Sequence, residues 1–177
     1  MNRRITVEEI MSKHPCKEWT RELVEEQIGE GKTLTEILDL DIEAFDRIWA
    51  VVWFLPEEIN RTFAIWCARQ CETDVTEISD YIDTIESCYN DQDKLKEADM
   101  AAVKASRKAC DVDSNAYWAA HRAAERDPVK AAYWAAGRAV YSTAYSGAYW
   151  EPARAAAKAE MQERLIKKLK ELIQEAE

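Results

Sequence analysis

The chain has 177 residues and a formal net charge of −10, from 34 Asp and Glu against 24 Lys and Arg, with only four Gly and four Pro. This length suits one domain with a sizeable core and a small N-terminal appendage, and the scarcity of turn residues beside abundant Ala, Glu, Lys and Leu excludes a β-rich fold. The acidity disfavours direct nucleic-acid binding.

The opening MNRRITVEE turns acidic at once, and the longest apolar run, IWAVVWFL, is too short to span a bilayer, so a cytoplasmic protein without a membrane segment is expected. Five cysteines without metal-finger spacing fit reduced thiols rather than a disulfide framework.

Thr6 with Glu9 is the pattern of a capping box opening a short helix that His14-Pro15 ends. A second helix is expected from Lys17 to the turn Gly29-Glu30-Gly31, and Thr33 with Glu36 repeats the capping pattern. Residues 41–54 place Ile42, Phe45, Ile48, Trp49, Val52 and Trp53 at helical spacing, and Pro56 stands where the next helix, EEINRTFAIWCARQCE, would begin. Two further helices are expected over Val75–Tyr89 and Gln92–Cys110. Pro128 enforces a break after Asp127, Gly147 marks another corner, and Met161, Leu165, Leu169, Leu172 and Ile173 line one stripe of a last helix. The reading is an all-α, compact multi-helix bundle of about eight to ten helices with closely packed Ala-rich C-terminal helices, divided into a short helical segment over 1–40, packed on the main domain, and a helical domain over 41–177.

Catalytic patterns are missing from this sequence. Gly29-Glu30-Gly31-Lys32-Thr33 has too few residues between its glycines for a phosphate-binding loop, and His14 and His121 sit in no helical metal motif, so neither catalysis nor a cofactor is expected. Cys67 and Cys71 share a helix face, for which small buried residues are a simpler account than metal ligands. Cys16 near His14 and Trp19 is read as packing.

Two features remain as candidate sites. The first is acidity. Residues 1–113 carry 26 acids and 14 bases, whereas 114–177 carry 8 and 10, and between Glu72 and Asp93 no Lys or Arg interrupts the acids. Asp74, Glu77, Asp80, Asp83 and Glu86 form a slanting stripe on one helix. It is either a solvated face or a docking surface for a protein with a basic surface, where complementary charge speeds association.

The second feature is a repeat. AYWAAHRAAERDPVKA, AYWAAGRAVYSTAYSG and AYWEPARAAAKAEMQE place a Tyr-Trp pair every sixteen residues, with an arginine four positions after each tryptophan: Trp118 with Arg122, Trp134 with Arg138, and Trp150 with Arg154. Sixteen residues advance the side-chain direction by roughly 160° beyond whole turns, so the copies cannot share one face of a straight helix, and each is expected to open its own. Within a copy the guanidinium can lie over its own indole at i,i+4. The six residues are read first as packing, with tryptophans costly to remove wherever fully buried, and alternatively as a groove for a small anionic ligand or nucleotide.

RTFAIWCARQC, with Arg61, Phe63, Ala64, Cys67 and Ala68, followed by the AYW repeats and a Leu/Lys/Glu tail, resembles the immunity-protein family of alanine- and tryptophan-rich helical proteins found in bacterial toxin systems and phages. HPCKEW resembles the Cys-x-x-Trp helix start that often precedes that module. The resemblance covers roughly Trp49 to Leu172 and implies a non-enzymatic inhibitor that neutralises a toxin or defence effector by stoichiometric binding. It supplies no catalytic residues, and the acidic stripe has no counterpart in the family pattern.

Overall fold

Ten α-helices and no strands make up the described part of the chain, which in this computed structural model comprises residues 3–71, 75–106, 111–145 and 151–177. The all-α bundle expected from the sequence is therefore the fold. The chain divides into two units, one formed by residues 1–55 with 166–177 and the other by residues 56–165. The division falls at Leu55–Pro56, so the boundary drawn at residue 40 lies inside the first unit.

In that first unit, α1 (Val7–Met11) and α3 (Leu34–Leu38) both open with full capping boxes, Thr6 with Glu9 and Thr33 with Glu36. The second helix, α2 (Arg21–Ile28), starts later than expected, because the Thr20 hydroxyl accepts from the Leu23 N–H and fixes the start there. Before it, His14 adopts φ 54, a left-handed conformation that turns the chain at His14-Pro15. Gly29 caps α2 at φ 58, and Gly31 has φ 114, where an added Cβ would meet Arg4 Cβ and Ile5 O at 3.3 Å. The glycine pair thus serves a turn that lets Ile5 and Lys32 exchange backbone hydrogen bonds of 2.7 and 3.1 Å. α4 (Ala44–Val52) is shorter at both ends than its apolar pattern, and buries Ile48, Val51 and Val52. Also within this unit, Leu169, Leu172 and Ile173 of α10 (Glu151–Glu175) are buried, and Lys170 pairs with Asp39 at the end of α3.

The second unit is built around α5 (Glu57–Arg69), which packs on α8 (Asp111–Ala123) and α9 (Pro128–Tyr145), while α6 (Thr76–Cys88) packs on α7 (Gln92–Ser106). Phe63, Ala64, Cys67 and Ala68, four of the five residues singled out in RTFAIWCARQC, have no exposed surface at all. On α8, Ala116, Ala119 and Ala120 are fully buried, as are Ala131, Ala132, Ala135, Ala136 and Ala139 on α9. Small side chains at these positions let the helix backbones approach closely, so the contact is made of methyl groups and main chain. Asp127 accepts from the Val129 and Lys130 N–H groups at 3.0 and 3.2 Å, and Pro128 follows as the first residue of α9, which is why the chain breaks where the proline stands.

Cys67 and Cys71 lie in this core. Burial pushes the Cys67 thiol well above its usual range and the Cys71 thiol up to about 11, so both are held as neutral thiols at neutral pH. A thiol whose pKa is raised by folding contributes stability that is complete below its unfolded value, near 9, and is lost as pH rises toward the folded value. Urea unfolding should therefore show stability falling between pH 9 and 11, by on the order of 2–3 kcal/mol for Cys71 alone, and Cys71→Ala should flatten that fall. Equal slopes in the two proteins would show that this thiol is not held protonated by the fold.

Candidate functional site

The tryptophan repeat resolves into an arrangement that the i,i+4 spacing did not suggest. Trp118 lies on α8 and Trp134 on α9, each on its own helix, but neither copy opens its helix, because α8 already begins at Asp111 and α9 at Pro128. The guanidinium of Arg138 lies 5.8 Å from the centroid of Trp118, and that of Arg122 lies 5.8 Å from the centroid of Trp134. Each arginine thus crosses to the tryptophan of the opposite helix.

The spacing itself explains the crossing. Trp118 and Arg138 are symmetric about residue 128 in the sequence, and so are Arg122 and Trp134. In an antiparallel helix pair folded about Pro128, both pairs fall opposite each other. A Trp-x-x-x-Arg unit repeated after sixteen residues generates two reciprocal cation–π pairs wherever the turn lies midway. The same rule applied to the second and third copies puts the centre at residue 144, next to the last residue of α9. Trp150 lies outside the described residues. Arg154 is half-buried on α10.

These tryptophans are not core residues. Trp118 is 38% exposed and Trp134 51% exposed, whereas the neighbouring Tyr117 is 5% exposed. The packing role assigned to the repeat is carried by its alanines and by Tyr117, and the indoles lie on the surface with guanidiniums against them. Trp118 also meets the His121 ring edge-on at 5.6 Å.

Behind this face lies a polar cluster that sequence reading missed. The Tyr117 hydroxyl donates to Asp99 Oδ1 at 3.2 Å, and His121 Nδ1 lies 3.2 Å from the same oxygen. Burial first, and then the charge of Asp99, push the Tyr81 hydroxyl far above its usual range, so it stays protonated. Tyr81, Asp99 and His121 share the rim of an open cleft with Lys96 and Arg126. The residues come from α6, α7 and α8 at separations that no local motif encodes; the only signal in the sequence was a single His one helical turn after a buried Tyr. The first unit holds a separate small apolar cavity of about 40 Å³ lined by Ile10, Trp19, Ile37 and Trp49, with Asp46 at its edge.

The acidic stripe is placed on α6. Glu77, Asp80, Asp83 and Glu86 are all exposed, and Asp74 lies outside the described residues. Its isolation from basic residues is a property of the sequence only. Arg69, at the end of α5, donates to Asp83 at 2.7 Å and also to Glu86, so two of the four described acids have an intramolecular cation. Glu77 stands in the first turn of α6, where a carboxylate is favoured by the helix dipole, and Asp91 caps α7 by accepting from the Lys94 N–H at 3.1 Å. Asp80 alone lacks both a cation and a capping role among the described residues.

Among the described residues no group of three or more His, Cys, Asp or Glu is placed to hold a metal, and no helix is long and apolar enough to cross a membrane. Fold and surface together define an all-α chain with an exposed tryptophan–arginine face on an alanine-packed helix pair. In comparisons with known proteins no family model matched, and neither a curated protein nor a solved structure matched significantly.

Proposed function

We propose that the protein is a non-enzymatic inhibitor that neutralises a toxin or defence effector by stoichiometric protein binding, as a toxin-immunity or phage anti-defence protein. The observation that carries the binding part of this reading is the pair of tryptophans, 38% and 51% exposed, each under a guanidinium on the outer face of α8 and α9. Trp and Arg are the residues most enriched at the energetic centres of protein interfaces, and a cation–π pair already holds the rings in place before a partner arrives. The resemblance of RTFAIWCARQC and the AYW repeats to immunity proteins supplies the choice of partner class.

The same face argues against the small-ligand alternative, since such ligands bind in concave sites that bury most of their surface, whereas these indoles lie open. It also moves the expected contact away from the α6 acids, because Asp83 and Glu86 already have Arg69.

The test starts with capture from the native host and mass spectrometry, followed by titration of the captured target. Inhibition should reach its end point at a fixed molar ratio and leave the target's mass unchanged. Trp134→Ala should melt close to the unaltered protein and lose the target. One molecule inactivating many targets would overturn the inhibitor reading, and a bound nucleotide or a melting shift with a small anion would favour the ligand binder.

A further inference from the structure

The apolar cavity of the first unit is built from four helices and carries one charge. Ile10 of α1, Val24 and Ile28 of α2 and Ile37 of α3 are buried at its wall, with Trp19 and Trp49 beside them, and Asp46 is the only charged residue that lines it. At about 40 Å³ the cavity exceeds the ~10–15 Å³ that one water needs and falls well short of the ~150 Å³ that holds a benzene ring. It has room for a few methylene groups in line and none for a ring, and its apolar wall offers a water few hydrogen-bond partners.

Asp46 stands in the first turn of α4, where the helix dipole favours a carboxylate. Its surroundings outweigh the dipole. Burial pushes the carboxyl above its usual range, the Trp19 indole N–H offsets part of this, and the like charges of Glu43 and Glu18 add to it. The cations of this unit lie elsewhere: Arg3, Arg4, Arg21 and Lys170 pair with other carboxylates, Arg47 donates to the Leu38 oxygen at 3.0 Å, and Lys13 lies over the Trp53 ring at 5.5 Å. Lys17 and Lys32 remain, and among the described residues neither is paired with Asp46, Glu43 or Glu18. From the cavity and this charge complementarity we infer that the first unit binds a primary ammonium on an unbranched chain of about four carbons, with the chain in the cavity and the ammonium on Asp46. A free alkylamine and a lysine side chain share that chemistry. The site has no residue in common with the tryptophan–arginine face and stands independently of it.

The experiment uses the full chain with ¹⁵N-labelled tryptophan, the Trp19 and Trp49 indole N–H signals being assigned from Trp19→Phe and Trp49→Phe. n-Butylammonium, methylammonium, n-butanol, butyrate and an acetylated Gly-Lys-Gly amide are each titrated at one ionic strength. n-Butylammonium should shift both signals to saturation, with a Kd of about 1–10 mM, as suits a guest of so few atoms. n-Butanol and butyrate, which keep the chain without the positive charge, and methylammonium, which keeps the charge without the chain, should each bind about tenfold more weakly or not at all. Asp46→Asn should melt no lower than the unaltered protein, because a partly buried carboxylate without a cation is removed, and should bind n-butylammonium about tenfold more weakly. Saturation by the lysine peptide as well would assign the site to a lysine of a partner protein, and saturation by n-butylammonium alone to a free amine. Shifts that do not saturate with n-butylammonium, equal binding of n-butanol or of methylammonium, or equal binding by Asp46→Asn would each overturn the inference.

Discussion

Ala135→Leu should destabilise the protein by about 3 kcal/mol, whereas Trp134→Ala, one residue away, should cost about 1 kcal/mol. The inversion of the usual order of size follows from where each side chain lies. Ala135 has no exposed surface and sits on a helix packed against both α5 and α8, so three added carbons must push backbones apart. Trp134 is half exposed, and its removal forfeits part of a ring contact with Tyr133 and one cation–π pair with Arg122. Urea unfolding of the two variants measures the difference directly. If Trp134→Ala proved as costly as Ala135→Leu, the indoles would be structural after all, and the surface reading would fall with them.

Local signals in this sequence were read well, and long-range ones poorly. Capping boxes at Thr6 and Thr33, the prolines at 56 and 128, and the stripe of Met161, Leu165 and Leu169 each depend on residues within one or two turns, and each appears in the structure as expected. The start of α2 was missed for an equally local reason: Thr20 caps it, and the capping preference of that threonine was outweighed by the length of the helical stretch assigned before it. Partners across helices are another matter. Spacing of four on one helix pointed to Trp118 with Arg122, but a ring on a packed helix pair has neighbours on both helices, and the crossed arginine is the closer match once the turn at Pro128 fixes the register. The crossing was implicit in the sixteen-residue period together with the position of the proline, and needed only the assumption of an antiparallel pair.

The acidic stripe shows the same limit from the other side. A run of acids without a base in sequence reads as a solvated face or a docking surface, yet Arg69 reaches Asp83 and Glu86 from the preceding helix. Exposed ion pairs of this kind contribute little to stability, and their consequence here is for binding: a partner's cation would have to compete with Arg69 at those two positions, whereas Glu77 and Asp80 have no cation among the described residues.

Arg61→Met should destabilise the protein by about 2–4 kcal/mol, the second large effect expected of a single substitution. Arg61 opens the segment RTFAIWCARQC, and the structure gives it a physical task. Its guanidinium lies 3.5 Å from the centre of the Tyr89 ring, pairs with Glu57 at 2.6 Å, and donates to the main-chain oxygens of Glu125 and Arg126 at 3.5 and 3.1 Å. Those oxygens follow the end of α8, where helix carbonyls lack partners, and the Tyr89 hydroxyl donates to the Glu125 oxygen as well, at 2.9 Å. One side chain therefore ties α5 to the residue after α6 and to the turn that sets the α8–α9 register, with only 16% of its surface exposed. Methionine keeps the length and the apolar contact with Tyr89 but leaves the carbonyls facing a thioether. Lysine keeps the charge but reaches one carbonyl at a time, so Arg61→Lys should recover less than half of the loss. The turn at Pro128 also sets which arginine faces which tryptophan, so the Arg61→Met protein, even where folded, should show a weakened Trp134–Arg122 contact, read as a change in tryptophan emission at denaturant concentrations below the unfolding transition. Full stability in Arg61→Met would mean that the turn is held by Asp127 and Pro128 alone.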